Sequence, residues 1–406
     1  MDNATNDTIS VKCKLEPGDF VGTHVVQAKI GRGYFSTVYR CVRGNDQDGP
    51  PVAIKIYGND LEEYFRNEVQ LLKRISSEHI VSMYDMFAYI DRRTAAIYPC
   101  IIMELRGDSV LKLINHCKEE CGTGLPIPMV LAVTRDMLAG LAYLHENGII
   151  HGDIKPDNLL LDRKITEDLT ADDIHIKLVD FGSSSTIDNI FTTKVGTVGY
   201  IAPEIVVGRE FGTPADIWSA FTVIFELIAG DSLFDVFFEC DINYGDVDES
   251  VVLAGPDDDW ITCKPCSKCN QEESTDIKYS SCECGLCDTC GTHDSCTRVP
   301  TGSADESDEP EYQYARTYCY LLLVAKVIGY PPIEFTEDAR DYYNRRGRLI
   351  SNPDVIPTTI SALLGDNYSL DADLCARIEE FLLCGLKYDP CERISAAGAL
   401  KHGFCV

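Results

Sequence analysis

Positive charge is scarce in this chain. Its 406 residues carry 36 Lys plus Arg against 65 Asp plus Glu, a formal net charge of −29 with a pI near 4.5. Such a charge repels phosphate backbones and anionic membranes at long range, so neither direct nucleic acid binding nor a membrane role is expected, and a basic partner is. Long apolar runs are lacking too, none approaching the roughly 18 residues a membrane helix requires. The opening MDNATNDTIS lacks the charged and apolar blocks of a signal peptide. The expectation is therefore a soluble, monomeric, intracellular protein, cytoplasmic or nuclear. No internal repeat is visible, and 45% hydrophobic with 25% charged residues excludes disorder, collagen and coiled coil as global descriptions.

Cysteine, by contrast, is abundant. Nineteen are present, nine of them between Cys240 and Cys296. Without a secretion signal a disulfide framework is not expected, because the cytosol keeps thiols reduced.

Residues 1–18 read as a polar tail. From Val21 to Tyr57, β-rich runs (VVQAKI, STVYRC, PVAIKIY) alternate with Gly, Asp and Pro, which predicts antiparallel strands with tight turns. Leu61, Phe65, Val69, Leu72 and Ile75 then recur at helical spacing. After Gly107 the pattern is mainly helical, with Val130, Val133, Met137, Leu141 and Leu144 on one stripe. Between residues 239 and 311, 19 acidic and 4 basic residues mark an insertion, after which helical spacing returns.

Gly31-Arg32-Gly33-Tyr34-Phe35-Ser36-Thr37-Val38 falls in a predicted turn between strands, where glycines let backbone amides approach phosphates. Lys55, in Val52-Ala53-Ile54-Lys55, puts an ammonium on an apolar strand, a costly placement unless it meets an anion, and Glu68 on the following helix is its natural partner. His151-Gly152-Asp153-Ile154-Lys155-Pro156-Asp157-Asn158 is followed, 27 residues after Asp153, by Asp180-Phe181-Gly182, and then by Ala202-Pro203-Glu204. This set meets the needs of phosphoryl transfer: one acid to orient an attacking hydroxyl, a lysine for the transferred phosphate, and Asn and Asp oxygens for Mg²⁺.

In this order the motifs resemble the protein-kinase signature set. The resemblance covers residues 20–238 and 312–404. It implies an α+β, bilobal protein-kinase fold: a small antiparallel sheet lobe with one main helix (19–106), and a larger, mainly helical lobe in two parts (107–238 and 312–406) separated by the insertion (239–311). Carried over by position, Ile30, Gly31, Gly33, Val38 and Ala53 surround ATP, Lys55 holds its α and β phosphates, and Met103 is the gatekeeper. Glu104 and Arg106 belong to the hinge. Asp153 is the base or substrate orienter, Lys155 meets the γ-phosphate, and Asn158 and Asp180 bind Mg²⁺. Thr197 contacts the catalytic loop, Asp216 anchors it, and Glu204 pairs with Arg393. Leu72, Met83, His151 and Phe181 match a stacked apolar column.

Longer stretches resemble the SR-protein kinases, which phosphorylate serines in Arg-Ser repeats. These are Gly-Tyr-Phe-Ser-Thr-Val, residues 105–114, Gly124 to Pro128, the His151 motif, Thr213 to Ser219, Phe225 to Leu227, Gly230 to Phe234, Val327 to Pro331 and Tyr342 to Leu349. That resemblance implies a non-specific serine/threonine protein kinase acting on Arg/Ser-rich basic proteins and regulating mRNA splicing factors. Gly152 stands where most kinases carry Arg, so no cation there receives an activation-segment phosphate. The sequence departs from the SR kinases in Phe181, in the general form of residues 196–201, and in the short Asp162–His175 spacer. A kinase of other specificity, or a scaffold recruiting basic proteins, is the alternative.

The insertion contains Cys263, Cys266 and Cys269, then Cys282, Cys284, Cys287, Cys290, His293 and Cys296. Thiolates two residues apart suit tetrahedral zinc, and structural Zn²⁺ would supply the folding energy an apolar core cannot. The spacing leaves the ligand pairing open.

Overall fold

The computed structural model describes residues 13–33, 35–44, 46, 49–192, 195–234, 261–263, 296–298, 310–337, 339–350, 355–368 and 370–406. The chain divides into two compact units, one formed by residues 1–196 with 395–406 and the other by residues 197–394.

In the first unit a six-stranded antiparallel sheet has the order β1-β2-β3-β4-β6-β5: β1 (Phe20–Val21), β2 (His24–Arg32), β3 (Ser36–Arg43), β4 (Val52–Tyr57), β5 (Met83–Ile90) and β6 (Ile97–Glu104). Helix α1 (Glu62–Leu72) follows β4. Strand β4 is buried on both faces because its even positions, Ile54 and Ile56, join one apolar cluster while Ala53, Lys55 and Tyr57 point the other way. That cluster includes Cys13 and Leu15, so part of the stretch read as a tail is core. Tyr39 Oη donates to the Cys13 carbonyl and accepts from the Leu15 amide, both at 3.2 Å, which fastens the segment to β3.

The same unit holds α2 (Val110–Cys121), α3 (Ile127–Glu146), and the short strands β7 (Ile149–Ile150), β8 (Leu159–Leu161), β9 (Ile176–Leu178) and β10 (Ser185–Thr186). Helix α3 is long and apolar enough to cross a membrane, with a mean hydropathy of 1.4, although polar residues interrupt its apolar ones. Its stripe of Val130, Val133, Met137, Leu138, Leu141 and Leu144 is fully buried instead, as a core helix requires. Gly140 lets α3 approach β9: a Cβ there would lie 2.8 Å from Leu178.

The second unit is helical, with α4 (Pro203–Val206), α5 (Thr213–Ala229), α6 (Pro310–Ile328), α7 (Ile333–Thr336), α8 (Ile360–Tyr368) and α9 (Ala372–Gly385). Every residue of α5 from Ala215 to Ala229 is buried. Trp218 donates from Nε1 to Tyr320 Oη at 2.9 Å, and Phe221 packs on Phe381 with ring centroids 4.9 Å apart. Of the insertion, the described backbone ahead of α6 is an antiparallel pair, β11 (Ile261–Cys263) and β12 (Cys296–Arg298), with Cys263 opposite Cys296. The other candidate zinc ligands lie outside the described residues.

Candidate active site

Sheet register assembles one side of the site. Gly31 pairs with Val38, Val38 with Lys55 and Lys55 with Ile101, so these residues form a row across four strands, and Ala53 pairs with Met103 beside it. The Gly33 amide donates to the Ser36 carbonyl at 2.9 Å and closes the turn between β2 and β3. Ala53 and Met103 are buried, whereas Ile30 is exposed.

Lys55 Nζ lies 2.6 Å from Glu68 Oε2 and 2.7 Å from Asp180 Oδ1. Lys55 and Glu68 are buried; the Asp180 side chain retains 44% of its exposure. Burial pulls the Lys55 ammonium toward neutrality, but the two carboxylates outweigh it and its pKa is raised. Burial pushes the Glu68 carboxyl up more than Lys55 brings it down, and its net direction is upward. Glu68 Oε1 makes no hydrogen bond of ordinary geometry, although the Phe181 amide lies near enough to favour the ionised form. For Asp180, burial is overcome by Lys55 and the Gly182 amide, and its pKa falls to about 2.

The remaining groups come from the loop between β7 and β8 and the end of β9. Leu159 pairs with Leu178, and the Val179 amide donates to the Asn158 carbonyl at 3.1 Å, so Asn158 and Asp180 emerge from the same end of one hairpin. Lys155 Nζ is 2.7 Å from Asp153 Oδ2, and Asn158 Nδ2 donates to Asp153 Oδ2 at 3.0 Å and to its carbonyl at 2.8 Å. Both bonds use the Asn158 nitrogen, which leaves Oδ1 as its acceptor.

His151 presents Nε2–H to the Val179 carbonyl at 3.0 Å, and its ring lies 5.0 Å from that of Phe181. Phe181 is wholly buried and Asp180 has φ +66°, a left-handed turn that directs one residue inward and the other toward Lys55. Leu72 is buried and Met83 half-buried.

At the hinge, Glu104 binds Lys177 Nζ and Arg106 Nη1, both at 2.8 Å, and accepts from the Ser82 amide at 3.3 Å. These donors together hold its pKa below the usual range against partial burial. Lys177 was not anticipated: it lies 73 residues from Glu104, and no spacing connects them.

An ammonium between two carboxylates, beside an Asp-Lys-Asn cluster, is the donor and acceptor set that a protein kinase domain uses to hold a nucleotide's phosphates. The protein kinase domain family matches residues 24–301, more than half of the chain. The chain belongs to the protein kinase family. It is 31% identical over 229 residues to the DYRK-family kinase pom1 of Schizosaccharomyces pombe, covering 54% of this chain and 20% of that one. It is 30% identical over 229 residues to the serine/threonine-protein kinase PLK4 of Drosophila virilis (54% and 27%), and 31% over 223 residues to the inhibitor of nuclear factor kappa-B kinase subunit alpha of Xenopus laevis (53% and 28%). The chain thus spans less than a third of each relative's length. A crystal structure of a kinase domain matches with a TM-score of 0.65 and 20% identity, covering 98% of this chain and 99% of that one. These relatives are spread over several kinase groups, and none of the three is an SR-protein kinase by name.

The donor set fits Mg²⁺. Asp180 is ionised at neutral pH, half-exposed and beside Asn158, whose two bonds to Asp153 both leave the amide oxygen unused. Hard oxygen ligands of this kind suit that cation.

Proposed function

We propose that the protein transfers the γ-phosphoryl group of ATP to a protein serine or threonine, with preference for serine flanked by arginine. The observation that carries the reaction is Lys55 held between Glu68 and Asp180 at 2.6 and 2.7 Å. That pairing keeps the ammonium charged, on a strand in register with Val38 and Gly31, where it would meet the α and β phosphates of a bound nucleotide. Mg²⁺, held by Asn158 and Asp180, supplies charge neutralisation when bound. Asp153 takes or orients the proton of the attacking hydroxyl, its carboxylate positioned by Asn158. Lys155, 2.7 Å from Asp153, reaches the transferred phosphate as the hydroxyl approaches. Preorganised charge of this kind is the main source of rate in phosphoryl transfer.

The arginine preference is supported by the net charge of −29 and by the SR-kinase-like stretches. With it go Arg/Ser-rich basic partners, a role in splicing-factor regulation and cytoplasmic or nuclear residence. Structural zinc on the insertion's cysteines is proposed from their spacing. The test is transfer from Mg-ATP to an Arg-Ser repeat peptide beside a neutral serine peptide, with Asp153→Asn as control. Preference for the repeat that Asp153→Asn abolishes supports the proposal. Equal use of both peptides removes the substrate assignment, and transfer to neither removes the kinase.

A further inference from the structure

We infer that Tyr64 and Phe191 are positioning residues for phosphoryl transfer: with Phe35 they form an aromatic relay that holds α1 inward and keeps Glu68 on Lys55. The inference rests on the kinase reading above.

Something must hold α1 in place, because its inward position is costly. Glu68 is fully buried, its carboxyl is pushed toward the neutral form, and one oxygen lacks a full hydrogen bond. Little of the support is local. The N-cap residue, Leu61, makes no side-chain cap, and the Glu62–Arg66 pair along the helix is exposed and contributes little.

A phosphate on the activation segment does not supply the support at Gly152 either. Gly152 has φ +80°, and a Cβ there would lie 3.0 Å from the Ser183 carbonyl and 3.5 Å from Val195 Cγ1. A side chain there would be strained by the positive φ and crowded by the Ser183 carbonyl, and the glycine itself offers no charge to a phosphate.

Aromatic rings and amide groups connect the segments instead. Tyr64 stacks on Phe35 of the glycine turn, with centroids 4.0 Å apart and planes at 23°. Its other side meets Phe191 of the activation segment edge-on, at 5.1 Å and 86°. The edge-on contact is a favoured aromatic geometry, and the stacked one buries the two ring faces against each other. Tyr64 precedes Glu68 by four residues, so the two share a helix face. Asn67 Nδ2 donates to the Ser184 carbonyl at 2.7 Å. Ser184 Oγ donates to the His151 carbonyl at 2.7 Å, and the Phe191 amide donates to Ser185 Oγ at 2.9 Å. β10 pairs with β7, which leads into the catalytic loop. The glycine turn, α1 and the activation segment are therefore linked through Tyr64, and the catalytic loop joins them through Asn67 and Ser184.

The test is a double-mutant cycle of Tyr64→Leu and Phe191→Leu, changes that keep apolar bulk, with kcat, KM for ATP, melting temperature and hydrogen exchange of α1 recorded for each. Each single variant is expected to lower kcat by about tenfold and to speed exchange of α1 amides by a similar factor, from aromatic contacts of ordinary strength. The double variant is expected to lose little more than either single one, because both break the same link. Tyr64→Phe and Phe191→Tyr are expected to retain kcat within about twofold. Fully additive losses, unchanged kcat, or a falling melting temperature with unchanged α1 exchange overturns the relay. No turnover by the wild-type protein overturns the kinase reading, and the relay with it.

Discussion

Arg393 grips Glu204 with both terminal nitrogens, Nη1 and Nη2, each 2.7 Å from one carboxylate oxygen and both side chains almost wholly buried. The pair joins residues 189 positions apart across the insertion. Arg393 also donates from Nε to the Lys387 carbonyl at 2.8 Å and from Nη1 to the Pro214 carbonyl at 3.0 Å. The planar fork is what allows four such bonds from one side chain. Arg393→Lys is accordingly expected to destabilise the second unit by about 3–5 kcal/mol, because it leaves a buried carboxylate incompletely paired. Denaturant unfolding checks this, and a loss below about 1 kcal/mol contradicts it.

Lys55→Met strands Glu68 as a buried carboxylate without a cation. Activity is expected to fall by at least about a hundredfold and stability by about 3–5 kcal/mol. Adding Glu68→Gln is expected to return most of the stability and none of the activity. Thermal melts beside phosphate-transfer assays separate the two effects.

The depressed carboxyl of Asp180 makes a statement about pH. Its folded pKa of about 2 lies below the usual 3.8, so its contribution to stability is complete above about pH 4 and is lost as pH falls toward 2. With the side chain half-exposed, that contribution is about 1 kcal/mol. Asp180→Asn is expected to remove this part of the acid dependence. Unfolding free energies measured between pH 2 and 5 for both proteins show whether the slopes differ.

Gly152 is held at φ +80°, where an L side chain is strained. Gly152→Ala is expected to cost about 1–2 kcal/mol and to lower kcat, since Asp153 is the next residue. Wild-type stability and kcat in the alanine protein would show that the backbone there relaxes freely.

Much of the site was legible because its chemistry is local in sequence. Asp153, Lys155 and Asn158 occupy one loop, the 3.6-residue period placed Glu68 on a helix, and the apolar strand around Lys55 demanded a carboxylate, which the structure supplies twice. The Glu204–Arg393 pair and the buried His151 and Phe181 also stand where the motifs pointed. Less legible were contacts that no period or spacing encodes. Cys13 and Leu15 looked like part of a polar tail because two buried residues make no pattern. Lys177 on Glu104, and Tyr64 between Phe35 and Phe191, join segments far apart in the chain.

The kinase family, the candidate residues for phosphoryl transfer and the surplus of negative charge could all be read from the sequence, because they depend on residue type and short-range order. The tertiary structure alone decided that Lys55 touches both Glu68 and Asp180, that Gly152 is closed in by Ser183 and Val195, and that α1 is held by aromatic rings from two other segments. Those outcomes depend on how buried surfaces compete for the same space, and burial is a property of the folded chain rather than of any stretch of it.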